Sequence, residues 1–223
     1  MKNGLWSALL VLCLAGAGAT FCQTRLDRGS KAGLAWNRAY LFVPPLDGVR
    51  AIATGFEQVI ADGFWLDFLQ FNGEKIVSDK YKEEAKGVPP MITFLTDLDP
   101  RFSYAYQFGA WVLGDLEREE EGIALLDKGY RRLPDDPQIP FQRGFVEFLF
   151  RKNYLEAARW FLVADRMPNA PPRAKRMAAA MYARSNKQDL ARNTWQQIYQ
   201  SAADEQTRRI AKHALERLQR ETE

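Results

Sequence analysis

Two carboxylates one residue apart, Asp97 and Asp99, precede Pro100 in the stretch DLDPRFSYAY at 97–106. Such a pair suits acid–base chemistry or a divalent cation, but a carboxylate cation site takes six or more oxygen ligands. This loop offers too few. An aspartate directly before a proline has a simpler use: its carboxylate accepts the orphan N–H groups of a helix start, where proline forfeits no bond. Asp99 is therefore expected to cap a helix, with Asp97 at the end of the preceding one. A second acid pair, Asp62 and Asp67, flanks Trp65 in ADGFWLDFLQFNGE, which ends on Glu74. Two acids beside an aromatic ring suit glycoside chemistry. Five residues apart on a helix, however, they diverge by about 140° and do not face one bond. The segment is expected to pack its aromatic side on its neighbour, and Trp65 and Phe68 form a second candidate surface for a protein partner.

The remaining reactive side chains are few. The two cysteines, Cys13 and Cys22, lie in or just after an apolar stretch, and the one histidine is His213. A His/Cys metal site needs three or four convergent ligands. His213 points away from the centre of the apolar face formed by Ile210, Ala214, Leu215 and Leu218. No catalytic, cofactor-binding or metal residue is assigned, and the chain is expected to be non-enzymatic. A glycan-acting enzyme using Asp62, Asp67 or Glu74 ranks third among the readings, ahead of RNA binding by a 35-residue helical repeat, which export and the near-neutral charge disfavour. The 223 residues are 47% hydrophobic and 26% charged, ordinary for a folded body. A net charge of +3 from 31 basic and 28 acidic residues creates no strong polyanion field, so no nucleic-acid partner is expected.

The N-terminus reads as an address. Lys2 is followed by an uncharged run at residues 4–23, a short positive n-region and an apolar h-region ending in small residues. The run is also about long enough to span a bilayer. Residues 1–22 are thus a cleaved signal peptide or a retained membrane anchor, and membrane association would run through residues 5–22. Leu12 before Cys13 and Phe21 before Cys22 do not make a lipidation site. Arg25, Arg28 and Lys31 argue for keeping their side in the cytoplasm, while the short n-region and small-residue end argue for export, which is favoured. Residues 23–45 are expected to form a linker.

Beyond it, residues 46–97 should form a helical pair: one long helix over 46–74 that Asn72 and Gly73 stop, then a second at MITFLTDL. The rest of the chain repeats. Asp136 and Pro137 recur 37 residues after Asp99 and Pro100, and each pair leads into an aromatic helix holding a glycine, Gly109 or Gly144. The following helices align with Gly122, Ala157 and Ala191 in register, at spacings of 35 and 34. Leu126, Phe161 and Trp195 then line up, as do Gly129 and Ala164. Pro134 and Pro168 close the first two units. Small residues at fixed places let two helices approach, and large ones fill the gap beside them.

These features resemble tetratricopeptide repeats: the 34–37-residue period, helix–turn–helix units, closing prolines, and small residues at Gly109, Gly122, Gly144, Ala157, Ala179 and Ala191. The resemblance covers about residues 101–200. As a whole, the chain looks like bacterial envelope proteins that carry such repeats behind a signal or anchor. That resemblance implies an all-α fold, a right-handed α-solenoid of helix hairpins. It divides the chain into the helical pair at 46–97, three repeats at 98–203 and a capping helix at 204–223. It implies a non-enzymatic scaffold or adaptor in the cell envelope, periplasmic or inner-membrane anchored facing the periplasm. The first helix of each unit would line a concave face carrying Tyr106, Leu113, Gln138, Phe141, Phe145, Arg173 and Arg176. That aromatic floor with a basic edge suits a peptide or protein subunit with apolar anchors and an acidic flank. Arg173, Lys175 and Arg176 would alternatively meet lipid headgroups. The runner-up function is a membrane-anchored accessory subunit of a larger membrane complex.

Overall fold

Sequence periodicity alone demands helices, and the computed structural model, which describes residues 41–75 and 85–220, contains no strand among them. Among the described residues ten helices run in order: α1 (Leu46–Ala53), α2 (Glu57–Lys75), α3 (Val88–Leu98), α4 (Ser103–Asp115), α5 (Glu119–Arg132), α6 (Gln138–Leu149), α7 (Tyr154–Asp165), α8 (Ala174–Arg184), α9 (Gln188–Ser201) and α10 (Glu205–Arg220). A 3-10 turn, Ala85–Gly87, leads into α3. The protein is therefore all-α over the described residues. The expected signal or anchor at 1–22, most of the linker, Cys13 and Cys22 lie outside them. Among the described residues no helix is long and apolar enough to cross a membrane.

Three local expectations need correction. The long helix expected at 46–74 is two. Thr54 adopts a left-handed conformation at φ 43° and Gly55 follows at φ 97°, which ends α1 and redirects the chain into α2. Asn72 and Gly73 do not stop α2, which runs on to Lys75. The buried Asn72 amide donates back to the Phe68 carbonyl at 2.7 Å, so it finds its partner inside the helix. Asp99, finally, is not the cap of α4. Its backbone N–H closes α3 onto Leu95, and its carboxylate accepts from the Arg101 N–H at 3.0 Å, two residues before α4 begins. Asp136 accepts from the Gln138 N–H at 2.9 Å in the same way. Both acids brace the turn before a helix, where the proline fixes the backbone direction. Asp97 sits near the end of α3, as expected, and pairs with Lys128 of α5 at 2.8 Å.

Helices adjacent in sequence pack together, and α4 also packs on α6. Two apolar clusters result. The first gathers Phe68, Met91, Leu95, Tyr106 and Leu126. The second gathers Phe161, Ala178, Met181 and Trp195. Trp111 and Phe150 meet edge to face at 5.5 Å, and Tyr130 meets Trp160 at 6.0 Å, bridging the helices between them.

The small residues that align in the sequence are all buried. A Cβ on Gly122 would come within 2.9 Å of the Ala110 carbonyl oxygen, and one on Gly144 within 2.7 Å of the Phe161 ring. These two sites have room for a neighbour only because no side chain is there. The turns repeat as well. Glu117, Lys152 and Asn186 take left-handed conformations at φ 61°, 54° and 59°, in the turns α4–α5, α6–α7 and α8–α9. They fall 35 and 34 residues apart. The N–H groups of Arg118 and Lys187 reach back to the carbonyls of Leu113 and Tyr182 at 2.8 and 2.9 Å, satisfying the exposed ends of α4 and α8.

Candidate interaction surface

The α6 sequence QIPFQRGFVEFL sets Phe141, Phe145 and Phe148 at intervals of four and three, one helical stripe. On α8, Met177, Ala180 and Arg184 fall on one line with Arg173, which immediately precedes the helix. The two stripes meet. The Arg173 guanidinium lies 5.2 Å from the Phe141 ring centre and 5.9 Å from that of Phe145, while Arg184 lies 5.0 Å from Phe148. Phe141 and Phe145 stand edge to face at 5.0 Å, and both rest on Phe161, at 5.4 and 5.3 Å. Phe145, Phe148, Met177 and Ala180 stay half-buried, so their outer edges form a floor between the two arginines.

Eleven positions along a helix separate the arginines by roughly 16 Å. Both are exposed, and neither forms an ion pair among the described residues. Stacking on rings restrains each head group without neutralising it. Two restrained, unpaired cations at the ends of an apolar floor can bind carboxylates flanking an apolar segment. They supply no nucleophile and no proton-transfer group.

The other side of α6 carries a second cluster, which the sequence reading did not single out. Glu147 is only 1% exposed. Its carboxylate meets Arg143 Nη1 at 3.1 Å and Arg151 Nη1 at 3.2 Å. Arg143 also lies 3.4 Å from Asp127 through Nε and 5.3 Å from the centre of the Trp160 ring. These are ion contacts without hydrogen-bond geometry at Arg143 Nε and Nη1. Arg151 reaches Glu120 at 3.1 Å. Burial holds the Glu147 carboxyl above its ordinary range, against the opposing pull of Arg143 and Arg151. The cluster ties α5, α6 and α7 together. Its signal in the sequence is the spacing Arg143, Glu147, Arg151, one residue per helical turn.

The expected face is only partly assembled at the surface. Phe141, Phe145 and Arg173 come together, and Gln138 is exposed at the start of α6. Phe141 is itself buried beneath Arg173. Tyr106 is wholly buried: its hydroxyl donates to the carbonyls of Thr96 and Pro100 at 3.3 and 3.2 Å, and burial pushes the phenol up to about 12. Leu113 is buried too, at the edge of a groove of about 270 Å³ between α3, α4 and α5. Tyr106 and Leu113 therefore belong to the first core, because α4 turns these side chains inward between α3 and α5. Arg176 is half-buried. Its charge adds to the hydrogen bonds from Thr207 and Gln206 that hold the exposed Asp204 carboxyl below its ordinary range.

Of the second candidate surface, Phe68 is fully buried and Trp65 half-buried, its ring 5.4 Å from Phe68, 5.2 Å from Phe102 and 5.7 Å from Phe108. Both side chains pack within the first core, the outcome expected of an aromatic side turned to its neighbour. Asp62 and Asp67 are exposed. His213 is exposed and lies 3.5 Å from Glu216. Among the described residues, no three His, Cys, Asp or Glu side chains cluster as metal ligands. Arg184 and Met177 were missed in the sequence. Arg184 stands at the end of MAAAMYAR, where only the position of α8 against α6 gives it a ring to stack on.

No protein-family model, no curated protein and no solved structure matches this chain.

Proposed function

We propose that the protein is a non-enzymatic adaptor of the bacterial cell envelope that holds a peptide or protein segment on the α6–α8 face. In this proposal α4–α9 form three tetratricopeptide-like hairpins stacked as a right-handed solenoid, with α10 as the cap. The left-handed turn residues at 35- and 34-residue spacing, the buried small residues in register and the packing of α4 on α6 support that arrangement. The uncharged run at 4–23 supports the envelope location, as signal or anchor.

One observation carries the binding role: Arg173 and Arg184 are restrained on aromatic rings at either end of an apolar floor, with no carboxylate of the described chain to neutralise them. The partner would be an apolar-anchored segment with acidic residues on both flanks. Charge steers and registers such a segment, while the floor supplies the buried area.

The test is a fluorescence-anisotropy titration with a labelled peptide carrying two leucines and a phenylalanine between glutamate pairs. Binding should weaken at least tenfold in an Arg173→Glu/Arg184→Glu variant and with rising salt. Equal affinity for the same peptide with lysine flanks would sink the proposal.

A further inference from the structure

Helix α2 has apolar side chains around its whole circumference, the pattern of a helix covered on every side. One side is bare. Val59 and Leu66, seven residues apart and hence on one line, are each 65% exposed, and Phe56 at the head of the helix is equally so. Trp65, Phe68 and Phe71 occupy the opposite side, packed within or against the first core. Asp62 and Asp67 stand exposed along the bare side, and neither forms an ion pair among the described residues.

What lies next to this stripe along the chain has the opposite charge. Residues 23–40 carry Arg25, Arg28, Lys31 and Arg38 against one acid, Asp27. They also carry Leu26, Leu34, Trp36 and Tyr40. The segment ends at the core that α2 packs on, because Leu41 and Val43 rest against that cluster. Eighteen residues reach up to roughly 60 Å, more than twice the roughly 28 Å length of α2. Attachment so close gives the segment a millimolar effective concentration over the stripe, which a separate partner must exceed. The acidic flank meanwhile disfavours an anionic lipid surface.

We propose that residues 23–40 dock on the bare side of α2, setting their leucine and tryptophan side chains on Phe56, Val59 and Leu66 and their basic residues beside Asp62 and Asp67. The segment read from sequence as a linker is then a clamp.

The test places a benzophenone amino acid at Leu66 in the full chain, irradiates it at native expression and maps the product by mass spectrometry. The expected product has the mass of one chain, crosslinked into residues 23–40. A product of two chain masses, an adduct with lipid or another protein, or no crosslink overturns the proposal. The Asp62→Lys/Asp67→Lys variant keeps the apolar stripe and should lower the crosslink yield at least threefold at low salt. An unchanged yield overturns it equally, because the charge match is what singles out this segment.

Discussion

Helices α2 and α6 are both rich in aromatic residues, yet the fold treats them differently. In α6 each side has a neighbour. The phenylalanine stripe meets α8, and the Arg143–Glu147–Arg151 line meets α5 and α7. In α2 one side sets Phe64 on Phe94 of α3 and Trp65 on Phe108 of α4, and the other carries Val59 and Leu66 in the open. The difference shows that aromatic content does not locate a binding surface. What counts is which side chains the neighbouring helices leave half covered, and which charges they leave unpaired.

That contrast can be broken by substitution, beginning with the buried rings. Phe161→Ala should lose about 3–5 kcal/mol in urea unfolding, because Phe161 is fully buried under Phe141 and Phe145. Phe68→Ala should lose a similar amount from the buried side of α2. On the bare side, Leu66→Ala should exceed the roughly 0.5 kcal/mol of a free surface position only if residues 23–40 cover it. Gly144→Ala should lose about 1–3 kcal/mol, since the added methyl presses on the Phe161 ring.

Glu147 gives a prediction in pH. Its folded pKa is raised, so the folded state retains the proton to higher pH than the unfolded chain. Its contribution to stability is present below the unfolded glutamate value and is lost as pH rises through the folded one. Urea midpoints across this window should fall for the native chain relative to Glu147→Gln, and parallel curves would show that burial does not govern this group. Arg173→Ala and Arg184→Ala should each lose only about 0.5–1 kcal/mol of stability, the size of an exposed cation–ring contact. Smallest of all, Lys152→Gly should gain less than about 1 kcal/mol by relieving the left-handed backbone, read as a small rise in Tm.

Much of the fold was legible because helical spacing, turn prolines and aligned small residues are local signals. The helical character of the segments that form α5, α7, α9 and α10 follows from them. The break at Thr54 was not legible, since a β-branched residue rarely takes a left-handed conformation and nothing in ATGFE demanded it before packing. Of the candidate site, Phe145 and Arg173 were named through the resemblance to tetratricopeptide repeats, which sets the first helix of each unit on one face. Tyr106 and Leu113 share their helical signature yet point inward, because burial depends on where α3 and α5 lie.

The sequence by itself determined that the described residues are helical and that small and large residues recur in register. Those are properties of backbone preference and of side-chain period within one helix. Only the tertiary structure decided that Arg173 and Arg184 are restrained on rings, that Glu147 is buried between two arginines, and that one side of α2 stands bare. Each of these depends on residues from different helices meeting in space, and no single helix's periodicity encodes its neighbour's position.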